Sequence, residues 1–307
     1  MNREQAFHPQ LRAARFLPRT IITARTLPTL RFLTKLGSRR RRTDAQVVSV
    51  DADVSVHVFR PASGSAPAQP RTPALLWIHG GGMVLGGAGQ DSAFCRRVAD
   101  ELGIVVVSVE YRLAPEHPFS TPLEDCYTAL EWLASQPGID PARIAIGGQS
   151  AGGGLAAALA LLARERGEIR PVLQLMSYPM LDDRTTSRTD IDPRRLRIWS
   201  PRSNRFGWRS YLGAAAAGCE VSPLAAPARY EDLSGLPPAW IGVGTNDLFH
   251  DEDVAYARRL QQAGIDTTLN VVPGGYHNFD SLEAKPPVSQ AFVKAQITAL
   301  DEALNGA

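Results

Sequence analysis

Gly148-Gln149-Ser150-Ala151-Gly152 is the stretch that most restricts what this chain can become. A serine between two glycines, with a short apolar run at 143–146 before it and a helical run at 155–166 after it, describes a sharp strand-to-helix turn. Small neighbours are needed there, because the turn strains the backbone and the chain crowds itself. The serine Oγ then stands above a sheet at a helix N-terminus, where backbone N–H groups face a developing negative charge. A Gly/Ala-rich helix start gives the same five letters, so the flanking elements carry the weight of this reading.

Those elements repeat along the chain. Buried apolar runs at 74–78, 104–109, 143–146, 172–177, 239–243 and 267–272 are strand-like. Helical patterns lie between them at 121–136, with Ser120 as cap and Pro122 in the first turn, at 155–166 up to Gly167, after Asp251 as cap, and at 288–304. Such alternation argues for an α/β fold with a mostly parallel sheet and helices on both faces. Before it, 47–50 and the alternating Val54, Val56 and Val58 read as an antiparallel pair turning at Asp51-Ala52-Asp53, and 61–73 as a surface loop. Residues 183–217 carry no clear strand and many Arg, Pro, Ser and Trp. An insertion there sits over the carboxyl ends of the strands, where open α/β sheets bind ligands, so it reads as a lid.

Three further features bear on chemistry. His79-Gly80-Gly81-Gly82 follows the strand at 74–78, and consecutive glycines let N–H groups converge on one point, as a tetrahedral oxyanion requires. No lysine follows, which excludes a P-loop, and His79 is expected to hold the loop rather than react. A base for Ser150 must be a histidine, and in this arrangement serine precedes acid and acid precedes histidine. His250 and His277 qualify by order; His277, in a Gly-rich loop past the last strand, is the better placed. The acid that orients the imidazole is expected to be Asp247, just past the strand at 239–243, with Asp251, Asp182 and Asp183 as rivals by position.

Together HGGG at 79–82, Tyr111 to Phe119, GxSxGG at 148–153, Asp247 with Asp251-Glu252, and His277-Asn278-Phe279 resemble the hormone-sensitive-lipase family of bacterial esterases, over about residues 45–300. Ser222-Pro223-Leu224, Leu236-Pro237-Pro238 and Gly207-Trp208 with Tyr211-Leu212-Gly213 add to the likeness. The resemblance implies the α/β-hydrolase fold, a Ser150–His277–Asp247 triad, an oxyanion hole from the N–H groups of Gly81, Gly82 and Ala151, and a cap built from the N-terminal segment plus an internal insertion. Expected units are therefore 1–42 and 183–217 as cap, and 43–182 with 218–307 as catalytic domain. The chain departs from the family at Gln149, where Asp or Glu is usual, and at Ser120, where Pro is usual. Because position 149 supplies neither nucleophile nor base, Gln149→Glu is expected to change the rate only modestly. Arg112, Glu116 and Asp125 are read as ion-pair or loop anchors.

The implied activity is a serine carboxylesterase acting on short- to medium-chain esters through an acyl-enzyme, with no cofactor and no metal. An amidase, formamidase or deacetylase would use the same triad, and a ligand-binding protein on a disabled hydrolase scaffold is the rival of another class, which has no need of a complete triad. The net charge of +2 gives no argument for nucleic acid, but its distribution is uneven. Residues 1–42 hold eleven of the 33 Lys and Arg and one of the 31 Asp and Glu, net +10, leaving −8 elsewhere. The segment also carries Phe7, Phe16, Ile21, Ile22, Leu27, Leu30, Phe32 and Leu33, and is read as a cap element with a solvated basic face. Arg25, Arg31 and Lys35 interrupt its only apolar stretch, which argues against a secretory signal, and no window reaches the roughly 18 apolar residues of a membrane span. Three distant cysteines, Cys95, Cys126 and Cys219, read as reduced thiols, so a cytoplasmic protein is expected. The partner is a small ester; neither nucleic acid nor stable membrane insertion is expected, and a homo-oligomer stays open.

Overall fold

The structure, a computed structural model, describes residues 7–40, 45–62, 71–213 and 220–306. Eight strands form one sheet: β1 (Gln46–Ser49), β2 (Ser55–Phe59), β3 (Thr72–Ile78), β4 (Val105–Glu110), β5 (Ile139–Gln149), β6 (Leu173–Ser177), β7 (Ala239–Asn246) and β8 (Thr267–Tyr276). Their order is β1-β2-β4-β3-β5-β6-β7-β8. β2 runs antiparallel to both β1 and β4, and every pairing from β4 to β8 is parallel. The β1–β2 turn falls at Asp51, whose carboxylate accepts the N–H groups of Asp53 and Val54.

The helices are α1 (Leu27–Arg40), α2 (Ser92–Leu102), α3 (Thr121–Ser135), α4 (Ala151–Arg166), α5 (Pro201–Leu212), α6 (His250–Gln262), α7 (Phe279–Leu282) and α8 (Pro287–Leu304). Alternation along the strands sorts them onto two faces. Ala74, Leu76 and Ile78 of β3 join α3, α4 and α6 in one buried cluster, whereas Leu75 and Trp77 join α2 and α8 in another. α4 is apolar all round and buried from Ala151 to Ala163, as expected of a helix enclosed on every side. No helix among the described residues is long and apolar enough to cross a membrane.

The expected strands are present, but β5 and β8 run further than their apolar cores, β5 to Gln149 itself and β8 to Tyr276. α4 starts at Ala151 rather than Leu155, so no linker separates Ser150 from the helix. Two caps differ from expectation. Ser120 occupies the cap position of α3 but makes no side-chain bond; its carbonyl instead accepts the N–H groups of Leu123 and Glu124, each at 3.0 Å. α6 opens one residue before Asp251, with Phe249 at the cap, which leaves Asp251 inside the first turn, favoured there by the helix dipole. α2 was not anticipated. Parts of the anticipated loop (63–70), insertion (214–217) and N-terminal segment (1–6 and 41–42), and Cys219, lie outside the described residues.

The N-terminal segment and the insertion are laced together. The Ile198 N–H donates to Pro18 O at 2.8 Å, Ser203 Oγ to Ile22 O at 2.8 Å, and the Arg197 guanidinium to Ala14 O. The same segment grips the body: Arg31 donates to Val84 O and Ala114 O and pairs with Glu116 at 2.8 Å. Glu116 is thus an anchor, as are Arg112 and Asp125, joined at 2.6 Å with Arg112 reaching Asp53 as well.

Candidate active site

Ser150 sits at the junction of β5 and α4 with φ 55° and ψ −122°, a left-handed conformation that a non-glycine residue adopts only when its surroundings impose it. Those surroundings are backbone. Ser150 N–H donates to Ser177 O on β6 at 2.8 Å, and Ser150 O accepts from Met180 and Gly154 at 3.0 Å. The flanking glycines are a steric demand, since a Cβ on Gly152 would overlap Ile78 O and one on Gly148 would overlap Gly152 O. Across the cleft a Cβ on Gly80 would lie 3.3 Å from Ser150 Cβ, so the loop after β3 runs directly beside the serine.

Asp247 lies in the loop between β7 and α6, and His277 follows β8. His277 Nε2 stands 2.9 Å from Ser150 Oγ, and His277 Nδ1 stands 2.8 Å from Asp247 Oδ2. A proton on Nδ1 faces the carboxylate and leaves Nε2 to accept from the serine. The other oxygen of Asp247 accepts the Phe249 N–H at 3.0 Å, which fixes the carboxylate plane. All three residues are buried. Phe249 and Tyr178 meet the imidazole edge-on at 5.3 and 5.0 Å, and Trp199 lies 6.2 Å from it.

The rivals are held elsewhere. His250 opens α6, where its Nδ1 meets Asp251 at 2.8 Å; Asp251 also pairs with Arg188 at 2.7 Å. Asp182 is engaged by Arg184, and Asp183 by Arg229. Each rival carboxylate thus has its own cation, and none meets His277.

Gly81 and Gly82 have φ of 123° and 62°, which L side chains rarely adopt. Among the described residues neither N–H has an acceptor, and Ala151, first residue of α4, has none within its helix. Trp199 from the insertion closes over this loop: a Cβ on Gly82 would overlap its ring. On one face of α5, Gly207 packs against Gly82 O, and Asn204 Nδ2, Trp208 Nε1 and Tyr211 OH are buried without a bonding partner among the described residues. His79 braces the loop from below. Its Nδ1 lies 2.8 Å from Gly80 O, its ring stacks on Tyr111 at 4.2 Å, and burial pushes its pKa down to about 4, so it stays neutral. No three His, Cys, Asp or Glu side chains among the described residues are grouped to hold a metal.

Beneath the serine lies a polar network that the sequence did not disclose. Gln149 Nε2 donates to Asp91 Oδ1 at 2.7 Å, and Tyr178 OH lies 2.9 Å from both Gln149 Oε1 and Asp280 Oδ1. These contacts span 58, 29 and 102 residues, so no local motif could reveal them.

Known proteins share this architecture. The family model describing the α/β-hydrolase fold matches residues 75–281. "Carboxylesterase NlhH" of Mycobacterium tuberculosis is 33% identical over 276 residues, 86% of this chain and 83% of that protein. "Ethyl acetate hydrolase" of Pseudomonas putida is 36% identical over 221 residues, 67% of this chain and 65% of that protein. Among solved structures, "Bacterial Heroin Esterase" superposes with a TM-score of 0.85 at 37% identity, covering 97% of this chain and 98% of that one. With the family model matching well over half of the chain and relatives above 30% identity covering most of it, the chain belongs to the hormone-sensitive-lipase-like esterases of the α/β-hydrolase superfamily.

Proposed function

We propose that the protein is a serine carboxylesterase for short- to medium-chain esters, with Ser150 as nucleophile, His277 as base and Asp247 as its orienting acid. The observation that carries this reading is the unbroken contact chain from Ser150 Oγ through His277 to Asp247, at 2.9 and 2.8 Å. Ser150 Oγ attacks the ester carbonyl while its proton passes to His277 Nε2. The carbonyl oxygen, now negative, is met by the N–H groups of Gly81, Gly82 and Ala151. Collapse breaks the C–O bond, and the leaving alcohol takes the proton from His277. Water then gives a proton to His277, attacks the acyl-enzyme and releases the acid as Ser150 recovers its hydrogen. The triad aside, relatives whose names describe carboxylic ester hydrolysis support the substrate class.

The cap, formed by the N-terminal segment and residues 183–217, sets the acyl preference in this proposal. Trp199 roofs the Gly82 loop and the imidazole, so an acyl chain meets an apolar wall of limited depth. Cys95 and Cys126 are buried free thiols, which supports a reducing compartment such as the cytoplasm.

The test is direct. Ser150→Ala should lower turnover by roughly 10⁴- to 10⁶-fold, and a fluorophosphonate should label Ser150 alone. His277→Ala should abolish activity and His250→Ala should not. Labelling at another serine, or turnover surviving the loss of Ser150, would overturn the assignment. A panel of acyl esters and amides decides between esterase and amidase.

A further inference from the structure

The network under the elbow contains more acceptors than hydrogens. Asp91 stands at the N-cap of α2, yet its carboxylate bonds no helix amide; it turns inward and accepts from Trp77 Nε1 at 2.9 Å and Gln149 Nε2 at 2.7 Å. This fixes the Gln149 amide, because a flip would place two oxygens against each other. Its carbonyl oxygen must then face Tyr178. The Tyr178 hydroxyl has one hydrogen and is met by Gln149 Oε1 and Asp280 Oδ1, each at 2.9 Å, and by Asn278 at 3.2 Å. Asn278 can turn its NH₂ toward the hydroxyl, but Gln149 cannot. Two short O···O contacts therefore share one hydroxyl hydrogen, and a second proton is needed to fill both. While Asp91 is ionised, and so holds the Gln149 amide in this orientation, Asp280 is the one group that can bring it.

We propose that Gln149 is a positioning residue: its fixed carbonyl claims the Tyr178 hydrogen, so that Asp280 completes the network only when it carries a proton and donates it to Tyr178. The inference rests on the esterase reading of this site. Without that proton, Tyr178 must choose between Gln149 and Asp280⁻, and the bridge between them opens. The bridge ties the residue before Ser150 to α7, which begins two residues after His277, and the Tyr178 ring itself packs on the imidazole. Its state therefore acts on the spacing between Ser150 and His277. The groups facing the pair are Trp77, Gln90, Cys95, Tyr111 and Tyr178 around Asp91, and Tyr178, His277 and Tyr276 around Asp280, together with the two carboxyls themselves. Burial pushes both carboxyls up to about 6. Against burial, Asp280 has Tyr178 and backbone N–H groups, and Asp91 has Trp77 and Gln149.

The experiment measures kcat and KM for a short-chain aryl ester against pH in the wild type, Asp280→Asn and Gln149→Glu. The amide of the first variant donates at every pH, so its kcat relative to wild type should rise several-fold as the wild-type carboxyl ionises, with the KM ratio flat. Gln149→Glu replaces the donor facing Asp91 by a third carboxyl, so its relative kcat should fall by roughly tenfold over the same range, the weight of one charge-assisted hydrogen bond, and recover on acidification. A wild-type minus Asp280→Asn infrared difference spectrum in mildly acidic solution should show one protonated carboxyl band beyond those that Asp91, Glu252 and Asp253 contribute to both proteins. Ratios independent of pH in both variants, or the absence of that band, would overturn the proposal. If Asp280→Asn fails to fold, the rate profile of Gln149→Glu against pH still decides it. Unchanged turnover in Ser150→Ala would instead sink the esterase reading, and the infrared result would stand apart from it.

Discussion

At single residues, what matters most here is which atoms have room. Gly82 combines φ 62° with a Trp199 ring where its Cβ would be. Gly82→Ala should therefore displace both the loop and the indole, and kcat should fall by about 10²- to 10³-fold, the weight of one oxyanion donor. Adding Trp199→Ala makes room, so the double variant should be faster than Gly82→Ala alone; equal rates would show that the backbone conformation, not the indole, is at fault. The same crowding explains why this part of the site could be read in advance. A run of glycines has few uses, and the elbow serine cannot be relocated without losing its neighbours. Asp91, Tyr178 and Asp280 gave no such sign, because a buried carboxylate on a helix cap looks in sequence like any capping residue. The expectation that Gln149→Glu changes the rate only modestly rests on that silence, whereas the proposed bridge through Tyr178 calls for a larger, pH-dependent loss.

Elements show the opposite balance. Strands announced themselves through buried apolar runs, yet their ends were hidden, since β5 and β8 continue through glycines that no propensity favours. α2 escaped notice because its apolar residues are interleaved with Arg96, Arg97, Asp100 and Glu101, which pair along the helix at i,i+4. α6 is fastened to the start of the insertion by Glu252, fully buried, which accepts from the N–H groups of Leu181 and Asp182 at 2.8 and 3.1 Å and from the Thr185 hydroxyl. Burial pushes its pKa up to about 8 despite those donors. Next to it Asp253, also pushed up by burial, has neither oxygen bonded among the described residues. A carboxyl raised in the folded state favours folding fully below its ordinary value of 4.5 and loses that contribution as pH climbs through about 8. Thermal stability should therefore decline across this window, and Glu252→Gln, which cannot ionise, should decline less. Parallel melting curves for the two proteins at all pH values would refute the assignment.

For the whole molecule, the question is what the N-terminal segment does. It buries Leu11, Ala14, Ile22 and Leu27, reaches the loop beside Ser150 through Arg31, and holds the stretch of chain that carries Trp199. Deleting residues 1–40 should leave the sheet intact and change the dependence of turnover on acyl length. A truncated protein that folds and keeps the full-length profile would remove the segment from the pocket. The segment also binds the far end of the chain: His8 N–H to Gly274 O at 3.0 Å, Ala13 N–H to Glu283 Oε2 at 3.0 Å, and Val288 N–H to Gln10 Oε1 at 2.9 Å. These partners stand up to 278 residues apart. During synthesis the strap leaves the ribosome long before residues 274–288, which form its seat, have been made. At about 5–20 residues per second that is a wait of roughly a quarter of a minute to a minute. Throughout it a basic, apolar-faced segment is available to any chaperone or protease, so the contacts that seat the strap are among the last the chain can make.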